Sequence, residues 1–394
     1  MKDKTQTLIF KAVVLYLFCY FTLIFDFPHI LTLIFGAILC AAMLVTQKKF
    51  RLDVGVCLLT VSMVLHFTIM YGTSGLFSMI TYVPIVIYVV AHYAGCSIKG
   101  QRDTEGKFLL LIFMLVFGHT IHGSINAGLY ITGHFTTVRK WLDIWTQQIV
   151  AGTQQVVYFL PALAVLFPAC VYWKKRKAVN TIWILATILF CYISLRSKSR
   201  ISIVILAIIF CAQILLYLIL ERKNLDKILS NKRLWIALGS IFVVLSITAY
   251  LIKDTAVVRA FIENLSKDGG ILNNVRFVAQ REALSQLYDY PWGGRQMTLS
   301  LNYLHNVWLD MANATGSVAF TAFAAYTFLT IYELIRFLMK KTFSTETKLI
   351  VAGIYGAFFL YFTVEPALDA SIHYLTPWFF MNGLVHSSLT KEEK

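Results

Sequence analysis

Charge is scarce in this sequence. Only 14% of its 394 residues are Asp, Glu, Lys or Arg, against about 25% in soluble domains. At 58% hydrophobic content and a mean hydropathy of +0.69, a soluble fold of this size is excluded, because one core cannot hide that much apolar surface. Disulfide and metal frameworks are absent too. Cys19, Cys40, Cys57, Cys96, Cys170, Cys191 and Cys211 form no C-x-x-C pair, and nearly all lie inside apolar runs, where they serve as small hydrophobes. There is no repeat of 20–50 residues, no low-complexity tract and no soluble domain. The net charge of +15 does not mark a nucleic-acid partner, because the Lys and Arg residues are spread in short clusters between apolar runs. That pattern suits an anionic lipid leaflet.

Long apolar runs are abundant. A membrane-spanning helix needs about 20 mostly apolar residues. Twelve such runs are found, at roughly 8–25, 29–46, 54–71, 76–96, 108–125, 153–173, 178–195, 201–220, 234–252, 312–337, 348–365 and 370–388. The N-terminal Met-Lys-Asp-Lys leads into the first without a small-residue cleavage site, which predicts a span and not a removed signal peptide. The expected fold is all-α: one transmembrane domain over residues 1–394, with about twelve spans. With the N-terminus in the cytoplasm, 23 Lys and Arg fall inside and 11 outside, and Lys11 in the first span completes the 35. This asymmetry predicts a multi-pass protein with both termini cytoplasmic.

Two outside segments exceed a turn. The first, about 126–152, contains His134, Arg139, Lys140, Trp141, Asp143 and Trp145, and predicts an amphipathic helix on the membrane surface. The second, 253–311, is the one large hydrophilic segment. Phe277, Ala283, Leu284, Leu287 and Tyr288 stand at helical spacing in it, so an ordered, partly helical cap is expected.

Chemistry gathers at the outer side. Ser194-Leu195-Arg196-Ser197-Lys198-Ser199-Arg200 sets three cations between spans seven and eight, against the positive-inside bias. Arg offers a two-pronged donor for phosphate oxygens, and Arg200 opens a helix whose first N–H groups are free to meet an anion. The large loop holds Arg276, Arg281, the turn Tyr290-Pro291-Trp292-Gly293-Gly294-Arg295, then His305-Asn306 and Gly316. A His at headgroup depth is suited to take a proton from a sugar hydroxyl. Glu365-Pro366, Asp369 and His373 lie at the outer turn between the last two spans. His119 and His122, three apart on span five, have no local acid or Cys and are read as packing or cavity lining rather than metal ligands.

Arg276, Pro291, Gly294, His305-Asn306 and Gly316 in this order, preceded by Ser199-Arg200 at the start of a span, resemble the O-antigen polymerase and ligase superfamily of bacterial membrane proteins. The resemblance covers roughly residues 190–335 and the topology. It departs at Gln280, where a Trp is usual near Arg276, and at Gly293-Gly294-Arg295, which stands for a Gly-x-Gly. It implies a glycosyltransferase of the bacterial cytoplasmic membrane that polymerises polysaccharide repeat units at the outer face. The donor and acceptor it implies are oligosaccharides on polyprenyl diphosphate, and a flippase and a chain-length regulator are the implied protein partners. On this reading Arg196, Arg200 and Arg276 bind the diphosphate, and His305 serves with Arg276 in catalysis as general base. Asn306, Arg281, Arg295 and Asp369 are candidates to position sugar. No D-x-D motif stands in an outside loop, so transfer without metal or other cofactor is expected. Two alternatives remain: a ligase that moves finished glycan to another acceptor, and a lipid-linked oligosaccharide flippase or carrier.

Overall fold

The computed structural model describes residues 2–22, 29–47, 52–71, 83–98, 104–133, 135–137, 140–143, 149–173, 177–196, 199–224, 275–370 and 374–390, with isolated positions at 230, 235, 239 and 246. The ninth expected span and residues 253–274 of the large loop therefore lie outside the described residues.

Helices occupy the other apolar runs. They are α1 (Lys2–Phe21), α2 (His29–Gln47), α3 (Val54–Tyr71), α4 (Val83–Ile98) and α5 (Thr104–Ile131). After a short α6 (Gly152–Gln155) and a 3-10 turn come α7 (Leu160–Tyr172), α8 (Lys177–Arg196) and α9 (Arg200–Leu220). The C-terminal part holds α10 (Val275–Ser285), α11 (Val307–Met339), α12 (Thr345–Phe362), α13 (Ala367–Ala370) and α14 (Thr376–Leu389). The fold is all-α, as expected. Among the described residues, five stretches are long and apolar enough to cross a membrane: Lys4–Phe21, Thr104–Ile131, Gly152–Tyr172, Ser202–Leu220 and Val307–Met339. Their outward faces keep large apolar side chains exposed, among them Leu15, Leu215, Ile219 and Phe328, and α8 does the same with Leu185 and Ile188. Water does not tolerate such continuous stripes, whereas a bilayer covers them. The bundle is built from close pairs: α4 against α14, α3 against α11, α12 against α7 and α9, and α1 against α5.

Residues 126–152 differ from the surface helix expected there. Helix α5 continues to Ile131 and ends at Gly133 with φ 96°. A three-stranded antiparallel sheet follows: β1 (Phe135–Thr137), β2 (Lys140–Leu142) and β3 (Ile149–Ala151), in that spatial order. Thr136, Thr137, Ile149 and Val150 are β-branched, and such side chains fit a pleated surface better than a helix. Trp141 is not an interfacial anchor. It is 1% exposed and stacks on Tyr130 with ring centroids 4.3 Å apart.

In the large loop, α10 is helical as expected, and of the five apolar residues at helical spacing there Ala283 and Leu287 are the buried ones. Ala279, Ala283 and Leu287, four apart, pack with Met297, Leu304, Leu309 and Ala312 in a small separate core. Phe277, Leu284 and Tyr288 stay exposed. Small alanines let α10 lie close to the start of α11, which decides the face over side-chain size.

The expected run from His305 into span ten is broken. Gly316 has φ 88° and ψ 175° inside α11. Trp308 Nε1 donates to Thr327 Oγ1 at 2.8 Å across 19 residues; an unbroken helix would hold those residues about 28 Å apart. The segment before Gly316 therefore folds back along the one after it. The Pro291–Arg295 turn plugs the break, with Gly294 N and Arg295 N donating to Ala314 O and Asn313 O at 2.9 Å each. A Cβ on Gly316 would stand 2.0 Å from Pro291 O, and one on Gly293 2.4 Å from Gly316 N. The two glycines lie back to back, so neither position accepts a side chain.

Candidate functional site around Arg276 and Glu365

Three elements converge at the end of α12. Arg276, one residue into α10, sends Nη1 to Val364 O at 3.4 Å. Glu365, the next residue, sits in the turn between α12 and α13 and is 4% exposed. Its Oε2 accepts from Thr153 Oγ1 of α6 at 3.4 Å. The third element is the loop before α11, which carries His305.

His305 is held in an unusual backbone state. Its φ is 51°, in the left-handed region. Asp310, 1% exposed, clamps the chain on both sides of it: Oδ1 accepts from Leu304 N at 3.0 Å and Oδ2 from Asn306 N at 3.3 Å. Gln280 of α10 adds a bond to Leu304 O at 3.0 Å. Strain of this kind costs about 1–3 kcal/mol and persists only where surrounding bonds over-determine it. Asn306 is the helix cap: its Oδ1 accepts from Trp308 N at 3.2 Å and Leu309 N at 3.1 Å. That role accounts for the residue without a sugar.

Electrostatics divide the two titratable groups. Burial, and then the nearby Arg276 charge, push His305 down to about 4. The imidazole is thus neutral at pH 7 and a weak base, where a near-neutral pKa was expected. Burial pushes Glu365 up to about 7, although Arg276 and the Thr153 hydroxyl pull the other way. The group poised to exchange a proton at physiological pH is the carboxyl.

The other expected residues are placed as follows. Arg196, at the end of α8, lies over the Tyr130 ring at 5.0 Å and donates to Tyr192 OH at 3.1 Å. Tyr130 in turn stacks on Trp141 of β2, so Arg196 is connected to the sheet through that ring. Arg200 opens α9, but its side chain lies outside the described residues, as do those of Asp369 in α13 and His373. Ser199 and Ser202 hydroxyls bond each other. Arg295 lies 5.8 Å from the Tyr303 ring, and Arg281 is exposed with Nε 3.4 Å from Phe277 O.

Two features escaped sequence reasoning. Asp310 is one; an acid in the first turn after an Asn cap was the available signal. The other is Asp143. Its Oδ2 bonds His122 Nε2 at 2.7 Å and Asn126 Nδ2 at 2.6 Å, with Gln155 Nε2 at 3.4 Å. His122 Nδ1 faces Thr22 O at 3.3 Å. With both ring nitrogens engaged, His122 anchors the sheet and α6 to α5 and so sets where Thr153 stands. His119 packs its ring on Phe21 and Tyr158. His119 fits the packing read for it, whereas His122 is held in a buried polar network by an acid 21 residues on.

The sequence matches no protein-family model and no curated protein. What the observations define is an all-α protein whose apolar helices suit a bilayer, with a guanidinium, a raised carboxyl and a strained His gathered at one end of the bundle.

Proposed function

We propose that the chain is a multi-pass glycosyltransferase of about twelve spans that polymerises polysaccharide repeat units on polyprenyl diphosphate at the outer face of a bacterial cytoplasmic membrane. The observation that carries the reading is the exposed Arg276 beside a buried carboxyl of near-neutral pKa. The acceptor hydroxyl oxygen attacks the anomeric carbon of the donor sugar, and the bond to the diphosphate breaks. The diphosphate leaves with the electron pair, and the hydroxyl proton passes to the Glu365 carboxylate. Arg276 holds the diphosphate oxygens and meets the charge that grows on them. Neutral His305, fixed by Asp310, contributes a hydrogen bond to phosphate or sugar. Arg196 and Arg200 are further candidates to bind the diphosphate.

Cells lacking the protein test the function. Lipid-linked glycan should collapse from long ladders to single repeats exposed outside. Single repeats confined to the cytoplasmic side would make it a flippase instead. Carrier-linked ladders that persist while only final attachment stops would make it a ligase.

The orientation has its own test. Cysteines replace Asp289 and Lys341, both exposed, in a Cys-free background. An impermeant thiol reagent added outside should label position 289 and spare 341; the reverse would invert the topology.

A further inference from the structure

A second cluster of titratable side chains stands apart from the Arg276 site. Asp53 precedes α3, His92 lies in α4, Glu333 in α11 and His386 in α14. Lys340 Nζ donates to Ser388 O, which ties this end of the bundle to the start of α12. The Arg276 site lies past the other end of that helix, 18 residues on, or about 27 Å.

The two Asp53 oxygens are put to different uses. Oδ1 accepts from Val56 N at 2.8 Å, which caps α3, and from Tyr88 OH at 3.3 Å. Oδ2 is buried and accepts no hydrogen bond, on a side chain only 10% exposed. It points between two imidazoles, 3.4 Å from His92 Nδ1 and 3.8 Å from His386 Nε2. The three ligand-capable atoms all lie within 4.8 Å of one another. His386 is oriented from behind, with Glu333 Oε1 2.5 Å from its Nδ1.

We propose that Asp53, His92 and His386 bind one divalent first-row transition metal ion, zinc foremost, and that Glu333 fixes the His386 ring for it. Ligand bonds of 2.0–2.1 Å in a tetrahedral array put neighbouring ligand atoms about 3.3 Å apart, so the 3.4 and 3.8 Å separations need only small movement to close on an ion. Two imidazoles and one carboxylate select such ions over magnesium or calcium, which take oxygen. A carboxylate behind a ligating His is the usual outer partner of zinc sites. An ion satisfies the buried Oδ2 that the protein leaves without a donor. Three ligands leave a fourth position for water or a partner group. The ion also has a mechanical consequence: α3 packs on α11 and α4 on α14, and the ligands come from both pairs, so metal binding clasps them together. The proposal does not depend on the glycan reading.

The test uses the full chain purified in detergent, with Zn2+ and Co2+ as probes. One ion per chain is expected, with the visible absorption of Co2+ in a nitrogen–oxygen site and a Tm that rises with Zn2+ and falls back with chelator. His386→Gln and Asp53→Asn should lose the Co2+ spectrum. Glu333→Gln removes no ligand, and should weaken affinity about 10–100-fold while the protein stays monodisperse. A parent that binds neither ion overturns the proposal, as does a His386→Gln or Glu333→Gln protein that binds as tightly as the parent.

Discussion

Arg276→Lys is expected to reduce repeat-unit polymerisation by about 10²–10³-fold, the typical worth of one donor aimed at developing charge. Charge is conserved in this variant, so a purely Coulombic role would leave activity largely intact. Geometry is not conserved. Arginine presents a planar fork that can keep one arm on Val364 O, 3.4 Å away, while the other meets a phosphate oxygen. Lysine ends in a single ammonium on a flexible stem and must choose between them. Arg276 is exposed at the rim and α10 is anchored by Ala279 and Ala283 on its other side, so the fold should survive. Donor turnover by purified protein in liposomes is the measurement. Near-parental rates for the lysine variant would remove Arg276 from the chemistry.

Glu365→Gln should lower turnover by about 10²–10⁴-fold, the usual contribution of a general base, and at the same time make the protein more stable. The sign follows from the raised pKa. Glu365 titrates near 7 in the folded chain, from an ordinary value of 4.5. Between those values the unfolded chain loses its proton first, so stability falls as pH rises, and above about 7 the folded carboxylate is ionised at its full cost. Glutamine removes that cost. The gain is about 3 kcal/mol at pH 8, and it should fade below pH 4.5. Melting curves at pH 5 and pH 8 read it directly. In the parent, turnover should climb as pH rises through about 7. Arg276 lowers the Glu365 pKa, so Arg276→Gln should push the residual activity's acidic limb to higher pH. A pH-independent parent, or a glutamine variant that is active, would exclude Glu365 as the base.

The expected site was legible in kind more than in arrangement. Arg276 and His305 are legible because arginines and a His-Asn pair share one large hydrophilic loop, and burial and that Arg together lower the His305 pKa in the structure. Glu365 is offered by the sequence as a residue of the turn between the last two spans that could face the same cavity and balance an Arg, but not as the group that takes the proton. Its importance comes from burial between α6, α12 and α13, and burial has no local sequence signal. Asn306 is offered by the sequence as a candidate to position sugar; the structure adds that its Oδ1 caps the helix by accepting from two backbone N–H groups. The Asp53, His92 and His386 cluster was invisible, because its members are 39 and 294 residues apart along the chain and share no motif.

By itself the sequence determined that the described chain is helical and that its apolar runs suit a bilayer. Low charge and long apolar stretches leave the backbone no partner but itself, and a helix is the local solution. It also marked where apolar runs stop, since charged clusters are costly to carry into lipid. Tertiary structure alone decided the reversal at Gly316, where a glycine at φ 88° meets Gly293, 23 residues upstream, back to back. It decided that residues 135–151 form a sheet, because Tyr130 and Trp141 stack only once the strands pair. It decided as well which carboxyl titrates near 7, for a pKa reflects what surrounds a group, and those neighbours come from helices distant in the chain.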